Sequence, residues 1–481
     1  MHPLDPAVAA SWATEPSFYH APSPPQMTPK PYQLAGVEYA LARDHCLLGD
    51  SMGLGKTMQA ILVGNAIGAR RTLVVVPASL RLNWEREIWM WSTIENVLTY
   101  PVLKAKDGVS TQAHYVIVSY DLLRNPGILG AIMDLRWDHL ILDEVHHIKS
   151  QDALKCKPIC APNLLPSVVG RITMASGTIM PSQPSECYNA IRLLNWDAID
   201  RASLQDFREN YYALGGGMVR SPVYDPKIGA MVSKLHWSEE VRNVPTNLAD
   251  LQFRMRKNIM VRRLKEDVLK DLPTAQWRPF PLVMTAGIKT ALAHPGWKMA
   301  EKLYDMDALD TGVPIDGQIA TARRLLGEAK APAVAEYIEE MLREGATKLL
   351  VCAWHSSVLE ILKKRLQKHG LVCMDGATSA GARQRAVDSF QQNPEVKIIL
   401  GQMQVIGTGW TLTVAQDCVL AEPDWVPGNN DQMLARIHRI GQAGAYVTGH
   451  VPVVPGTLDE RILGTAVGKS RNIFVALDKR D

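Results

Sequence analysis

Two separate blocks of this chain alternate short apolar runs with amphipathic segments, a pattern that few folds accept. In the first block, TLVVVP (72–77), YVIVSY (115–120) and HLILDE (139–144) have the length and β-branched content of buried strands. Each ends in a polar residue or a turn, and helical segments such as SLRLNWEREIWMW lie between them. A second block begins near residue 346 with TKLLVCAW, LVCMDG, VKIILGQM and DCVLAEP. Such alternation builds parallel sheets covered by helices, so the fold class is α/β, with ligands expected at the carboxyl ends of the strands. At 481 residues the chain is long for one core, and two or three domains are expected.

From about residue 196 to 275 the strand pattern lapses into a mostly helical reading. It holds a Gly/Pro-containing loop, LGGGMVRSPVYDPKIG, and then a basic helix, LQFRMRKNIMVRRLKEDVLKDLP. Residues 1–28 are rich in Pro and Ala without periodicity and read as a flexible arm. The expected division is therefore an arm over 1–28, an α/β domain over 29–195 and helical insertions with a linker over 196–345. A second α/β domain over 346–455 and a C-terminal helical brace over 456–481 complete it.

A formal net charge of +3 neither demands nor excludes a polyanionic partner, because a local basic groove is enough. Seven scattered cysteines make no disulfide framework and point to a reducing compartment. Cys156 and Cys160 beside His146 and His147 have poor spacing for zinc, and buried thiols are the plainer reading. No apolar run approaches the ~20 residues of a membrane span, and no basic-then-apolar leader is evident. The expected location is cytoplasmic, or nuclear in a eukaryotic host.

The stretch LLGDSMGLGKT (47–57) is nearly a phosphate-binding loop, with Asp50 where a strict G-x-x-x-x-G-K-[ST] pattern has glycine. Strand, glycine turn and helix follow in order, so backbone N–H groups can wrap a phosphate at the helix N-terminus. Asp50, Met52, Gly53, Leu54 and Gly55 form the loop, Lys56 would reach the β- and γ-phosphates, and Thr57 would hold Mg²⁺. In LILDEVHHIKS, Asp143 and Glu144 directly follow a strand. Asp143 would complete the Mg²⁺ shell, and Glu144 would orient or deprotonate an attacking water. The bland alternative is a carboxylate pair capping the next helix. In DQMLARIHRIGQ, Arg436 and Arg439 are three apart on one helical face and suit arginine fingers reaching in from the second domain, although a solvated basic helix has the same pattern.

Taken together, DSMGLGKT, DEVHHIK, ASGTIMPSQPSECYNAI, VRRLKEDVLKDLP, MDGATSAGARQRAVDSF, GTGWTLTVAQDCVLAEPDWVPG and ARIHRIGQ resemble, in order, the motifs of SWI/SNF-type ATPases. The resemblance runs from about residue 30 to 470 and looks most like the annealing-helicase branch, related to HepA. It implies two RecA-like lobes with helical insertions, ATP and Mg²⁺ as cofactors, and double-stranded DNA as a sequence-nonspecific partner. It also implies roles for single positions. KPYQLAGVEYAL resembles the adenine-reading segment, with Gln33 on the base edge and Tyr32 packed nearby. Ser79, Asn83 and Ser119 resemble DNA-backbone contacts, and Ser176, Gly177 and Thr178 resemble the segment coupling nucleotide to DNA. Trp354, His355, Arg383, Gly407, Thr408 and Thr411 resemble DNA-facing or coupling positions in the second lobe. Trp84, Trp89 and Trp91 read as core. Arg262, Arg263 and Lys265 read as a structural brace or as DNA contacts.

The chain departs from the family pattern at Ser51, where an acidic residue is usual, and at Ile179, where proline is typical. It departs again at Trp425-Val426-Pro427, and at Leu434-Ala435 ahead of the first arginine. The resulting expectation is a DNA-dependent ATPase that translocates along duplex DNA and takes part in DNA remodelling or repair. Two alternatives stand beside it: a strand-separating helicase on single-stranded DNA or RNA, and a nucleotide-switched recruitment module. No reader or nuclease appendage is recognisable, so targeting falls to the arm, the insertion or a protein partner.

Overall fold

The computed structural model describes residues 5–17, 20–150, 154–215, 217–225, 230–238, 242–297, 317–407, 409–424 and 426–479. The first block of the sequence supplies β1 (Cys46–Leu48), β2 (Thr72–Val76), β3 (Thr99–Pro101), β4 (Tyr115–Ser119), β5 (Trp137–Asp143) and β6 (Val169–Ala175). Next come β7 (Tyr212–Leu214), β8 (Gly217–Asp225), β9 (Ala230–Ser238) and β10 (Arg242–Pro245), which pair antiparallel as β7 with β10 and β8 with β9. The two-residue β11 (Met260–Val261) then returns to the first sheet, whose order is β11-β1-β6-β5-β2-β4-β3, parallel throughout. The second sheet is built from β12 (Thr274–Pro281), β13 (Leu349–Ala353), β14 (Leu371–Met374), β15 (Ile398–Gln402), β16 (Asp417–Leu420) and β17 (Tyr446–Val453). Its order is β12-β17-β16-β13-β15-β14, also parallel.

The central strands of both sheets are buried on both faces, which is why they read as continuous apolar runs rather than alternating ones. In the first sheet Leu73, Val75, Leu140 and Met174 pack on one side, while Val74, Val76 and Ile141 pack with Ile61 and Trp84 on the other. The second sheet repeats the arrangement. Val351, Leu400 and Val419 meet Leu326, Ile338 and Leu362, and Leu350, Ile399 and Leu420 meet Phe390, Met433 and Ile437.

Several expectations are corrected here. The arm contains a packed helix: Asp5 caps Pro6–Trp12, accepting from the Ala7 N–H at 2.9 Å, and Val8 and Ser11 of that helix are buried. Within the Gly/Pro-containing loop, Gly217–Asp225 is strand β8, paired antiparallel with β9. The basic helix breaks into a helix over Leu248–Asn258, β11 and a short helix over Lys265–Val268. It breaks because Ile259, Met260 and Val261 are fully buried at the edge of the first sheet. The 196–275 stretch also hands its last residues to the second sheet, because β12 runs parallel to β17 along its whole length. Among the described residues no helix is long and apolar enough to cross a membrane.

Candidate functional site

Four neighbouring strands of the first sheet, in the order β11-β1-β6-β5, end at one place. From their carboxyl ends emerge Arg262-Arg263, the glycine loop 49–55, Ser176-Gly177 and the Asp143-Glu144 pair. Sequence neighbours are thus replaced by sheet neighbours, which is how a parallel sheet assembles a site.

The loop turns into the helix Lys56–Ala66 through Gly53 (φ 87°) and Gly55 (φ 79°), conformations that suit glycine. Lys56 folds back so that Nζ donates to the carbonyls of Asp50 (2.8 Å) and Ser51 (3.2 Å). Burial draws its pKa down to about 8, against the pull of Glu144, Asp50 and Asp143. Gly177 lets the loop after β6 come this close, since a Cβ there would lie 2.4 Å from Met52 Cγ and 3.1 Å from Lys56 Nζ. On the other flank Tyr32 Oη and Gln33 Nε2 both donate to the Leu54 carbonyl at 3.2 Å, and Gln33 Oε1 accepts from the Lys30 N–H.

Asp143 is the last residue of β5, and its carboxylate accepts from Trp84 Nε1 at 2.7 Å and from the Glu144 N–H at 2.9 Å. Glu144 has φ 53°, a strained conformation for a side chain of this kind, of the sort that collects at functional sites. Burial and then Glu144 push the Asp143 carboxyl up. Burial would raise Glu144 as well, but His146, Arg436 and Lys56 outweigh it and hold Glu144 down. The second lobe contributes Arg436, near the end of the helix Pro427–Ile437, with Nη2 on the Gly407 carbonyl at 2.7 Å. Burial and the adjacent Arg439 pull the Arg436 guanidinium down to about 10. Arg439 lies across the loop, its Cγ 3.2 Å from where a Gly53 Cβ would stand. Buried Arg436 Nε has no hydrogen-bond partner here, and Glu144 Oε2 has only His146 Nδ1 beside it, at 3.4 Å.

Sequence reading missed the packing behind the loop. The carboxylate of Asp50, fully buried, accepts from Arg263 N–H (2.9 Å), Arg263 Nε (2.7 Å) and Gln59 Nε2 (2.9 Å). Asp50 therefore offers the loop its backbone, while its charge is turned to Arg263 and Gln59. Arg262 donates to the Gly49 carbonyl at 2.7 Å and holds both oxygens of Asp478 at 2.7 and 2.9 Å. Arg256 binds the Leu477 carbonyl and lies over the Trp12 ring, so both chain-end helices lock onto this hinge. Arg262 and Arg263 are buried, which rules out the DNA-contact reading for them.

With this geometry in place, comparison with known proteins is decisive. The SNF2-related domain profile matches residues 32–302, and the helicase conserved C-terminal domain matches residues 330–441. The chain belongs to the SNF2-related family. It is 30% identical over 447 residues to the human (Homo sapiens) DNA annealing helicase and endonuclease ZRANB3, covering 90% of this chain and 39% of that one. It is 31% identical to the SWI/SNF-related matrix-associated actin-dependent regulator of chromatin subfamily A-like protein 1 of Bos taurus, covering 89% and 43%. This SNF2-related chain thus spans about two fifths of the length of these relatives. A solved SWI2/SNF2 ATPase core of Sulfolobus solfataricus in complex with dsDNA aligns over 96% of the chain and 100% of its own at 20% identity and a TM-score of 0.42.

The remaining family-implied positions of this SNF2-related chain divide. Ser79 is half-buried just before the helix Arg81–Trp91, and Asn83 is exposed in its first turn. Ser119 is buried, with its hydroxyl accepting from the Leu122 N–H, so it is corrected from a DNA contact to a turn residue. Trp84 is core as read, but Trp89 is 55% exposed and is not. Ser176 caps the Thr178 N–H, and Thr178 Oγ1 accepts from Gln432 of the second lobe at 3.2 Å. Trp354 joins Glu144, His146, Gly407 and Gln432 around an interlobe cavity of about 280 Å³. His355 is tied to buried Glu422 at 2.6 Å, and Arg383 bonds the carbonyls of Asp375 and Gly376 within its own lobe. Thr411 is exposed, and Thr408 lies outside the described residues, as does Trp425. Of the other departures, Ile179 packs on Gly49, and Leu434 and Ala435 are buried.

Proposed function

We propose that this chain is an ATP-driven motor that translocates on double-stranded DNA, hydrolysing ATP between its two lobes. The observation that carries the reading is the convergence of the glycine loop, the Asp143-Glu144 pair and two arginines of the other lobe on one buried spot. The names of the relatives, a DNA annealing helicase among them, favour DNA as the track.

The residues fit a magnesium nucleotide. A cradle of glycines that a Cβ would fill, a lysine resting on carbonyls and the buried, unpartnered Arg436 Nε are what a bound triphosphate would satisfy. Thr57 and Asp143 would hold Mg²⁺, which would neutralise charge on the β- and γ-phosphate oxygens. Trp84 Nε1 and the Glu144 N–H each fix one Asp143 oxygen, which orients the carboxylate and leaves lone pairs for the metal side. Glu144, kept ionised by His146, Arg436 and Lys56, holds the attacking water and takes its proton. Arg436 and Arg439 stabilise charge on the transferred phosphoryl group, and because they belong to the second lobe, hydrolysis requires the lobes to be closed. Duplex DNA gripped through its phosphates leaves little sequence preference.

Steady-state ATP hydrolysis measured without nucleic acid and with duplex DNA, single-stranded DNA and RNA tests this. Duplex DNA is expected to stimulate most, and Lys56→Ala or Glu144→Gln to lower turnover by ~10²–10⁴-fold with the fold intact. Stimulation by single strands alone would favour the strand-separating reading, and absence of turnover in every condition the recruitment module.

A further inference from the structure

We propose that Lys265 is a positioning residue for the two arginines, a latch that ties the nucleotide loop to the turn carrying Arg436 and Arg439; this rests on the ATPase reading above. Lys265 begins the short hinge helix Lys265–Val268, in the segment that joins the two sheets. Its ammonium crosses to the second lobe and donates to the carbonyl of His438, and it lies 3.3 Å from His438 Nδ1. His438 is the C-cap of the helix Pro427–Ile437, and it stands between the two arginines in sequence. A helix ends with carbonyls that have no partner inside it, and a lysine there meets both the hydrogen-bonding need and the negative end of the helix dipole.

The ring of His438 is clamped at both nitrogens. Nε2 stands 2.9 Å from the Pro273 carbonyl, which can only accept, so Nε2 carries the proton and Nδ1 is left to accept from Lys265. Lys265 and Pro273 bracket the hinge segment, so the arginine turn is held at two points of one short stretch of chain. The same stretch is anchored at its start to the nucleotide loop, by Arg262 on Gly49 and by Arg263 on Asp50. A path of hydrogen bonds joined by short stretches of backbone therefore runs from the loop through residues 262–265 to the turn 436–439.

Lys265 is an expensive latch in the absence of anions. Burial, with Arg439, Lys56 and Arg436 around it, pulls its ammonium down to about 7. A triphosphate amid these four cations would favour the charged form that donates to His438, so nucleotide binding and latch closure reinforce each other. On this view Lys265 does not touch the nucleotide. It makes lobe closure and arginine placement one event.

The test uses the full chain with Lys265→Met, which keeps the buried stem, Lys265→Arg, His438→Ala and the Lys265→Met/His438→Ala double variant. Three quantities are read: kcat of duplex-stimulated hydrolysis, affinity for the fluorescent nucleotide mant-ADP, and the melting transition. Lys265→Met is expected to lower kcat by about 10–100-fold while mant-ADP affinity stays within about threefold, with Lys265→Arg recovering part of the loss. The double variant is expected to fall no further than the worse single variant, because both break one link. A kcat for Lys265→Met within about twofold of the unmutated chain overturns the latch, as do additive losses in the double variant. A mant-ADP affinity at least ~10-fold weaker at unchanged kcat also overturns it, by making Lys265 a direct nucleotide contact. Where Lys265→Met melts early, His438→Ala is read by the same split. An unmutated chain without turnover defeats the ATPase reading itself, whereas a stimulated unmutated chain matched by Lys265→Met defeats only the latch.

Discussion

Asp50 stands where a strict phosphate-binding loop has glycine, and its carboxylate faces away from the loop into a fully buried pair with Arg263. Burial alone would raise its pKa, but the Arg263 charge and the hydrogen bonds from Arg263 and Gln59 prevail and hold it below the ordinary carboxylate range. Asp50→Gly would complete the consensus and yet strand a buried guanidinium. Removing one partner of a buried pair costs about 3–5 kcal/mol, so this variant should unfold at distinctly lower denaturant than the unmutated chain, followed by tryptophan fluorescence. An unchanged midpoint would contradict the pairing. The case also marks what the sequence can and cannot reveal about residues. Glycines, Lys56, Thr57 and the Asp143-Glu144 pair are legible because backbone chemistry dictates their spacing over a few positions. The Asp50–Arg263 bond joins residues 213 apart, and no local rule connects them.

Elements were legible where they are long and buried. The central strands β2, β4, β5, β13 and β15 coincide with the apolar runs, because a strand covered on both faces needs no alternation. The misses are short or depend on distant partners. β11 is two residues whose strand character comes only from pairing with β1, and the helix Pro6–Trp12 is held by contacts with the helix Leu248–Asn258 and with Arg256. Apolar β5 also hides a titratable group. His139 is fully buried with Nε2 2.8 Å from Thr173 Oγ1, while its Nδ1 has no partner. Burial, helped by Arg171, lowers its pKa to about 3. The unfolded chain therefore takes up a proton near pH ~6.5 that the folded chain refuses until about pH 3, so the contribution is present above the upper value and is lost as pH falls. Stability should decline below pH ~6.5 with up to about 1.4 kcal/mol per pH unit from this group. His139→Gln should flatten that slope in denaturant titrations between pH 6.5 and 4.5, two values chosen as ~1 unit or more above the folded pKa. An identical slope in the variant would refute the assignment.

At the scale of the whole molecule, the lobes meet through a few small contacts around the site and through the hinge. Gln432 donates to Thr178, Arg86 Nη1 reaches Gln384 Oε1 at 3.3 Å, and Gly409 (φ 72°) packs so closely on Leu80 that a Cβ would lie 2.1 Å from its Cδ2. Behind them, a cavity of about 760 Å³ lies between the lobes, lined by Ser51, Gly177, Lys265, Pro427 and Phe474. Its lining includes neither Lys56 nor Thr57 nor either arginine, so this space lies beside the proposed chemistry rather than at it. Among the described residues these small interlobe contacts, with a large space at the hinge, suit the proposed motor, whose lobes would part in each cycle, since a broad apolar interface would hold them shut. Arg86 and Gln384 are the contact to exploit, because neither is placed in the chemistry. A chain carrying Arg86→Cys and Gln384→Cys, joined by a short cleavable bis-maleimide, should hold the lobes closed and lose steady-state turnover by at least ~10-fold, while the unjoined double variant keeps it. The native cysteines interfere little, since Cys46, Cys156, Cys187, Cys352 and Cys418 are buried and only Cys160 and Cys373 are partly exposed. Single-turnover hydrolysis should survive the cross-link, because the arginines are already placed, and cleavage of the linker should restore cycling. Full multiple-turnover activity in the joined chain would mean that the lobes do not separate between cycles, and the motor would have to move by another route.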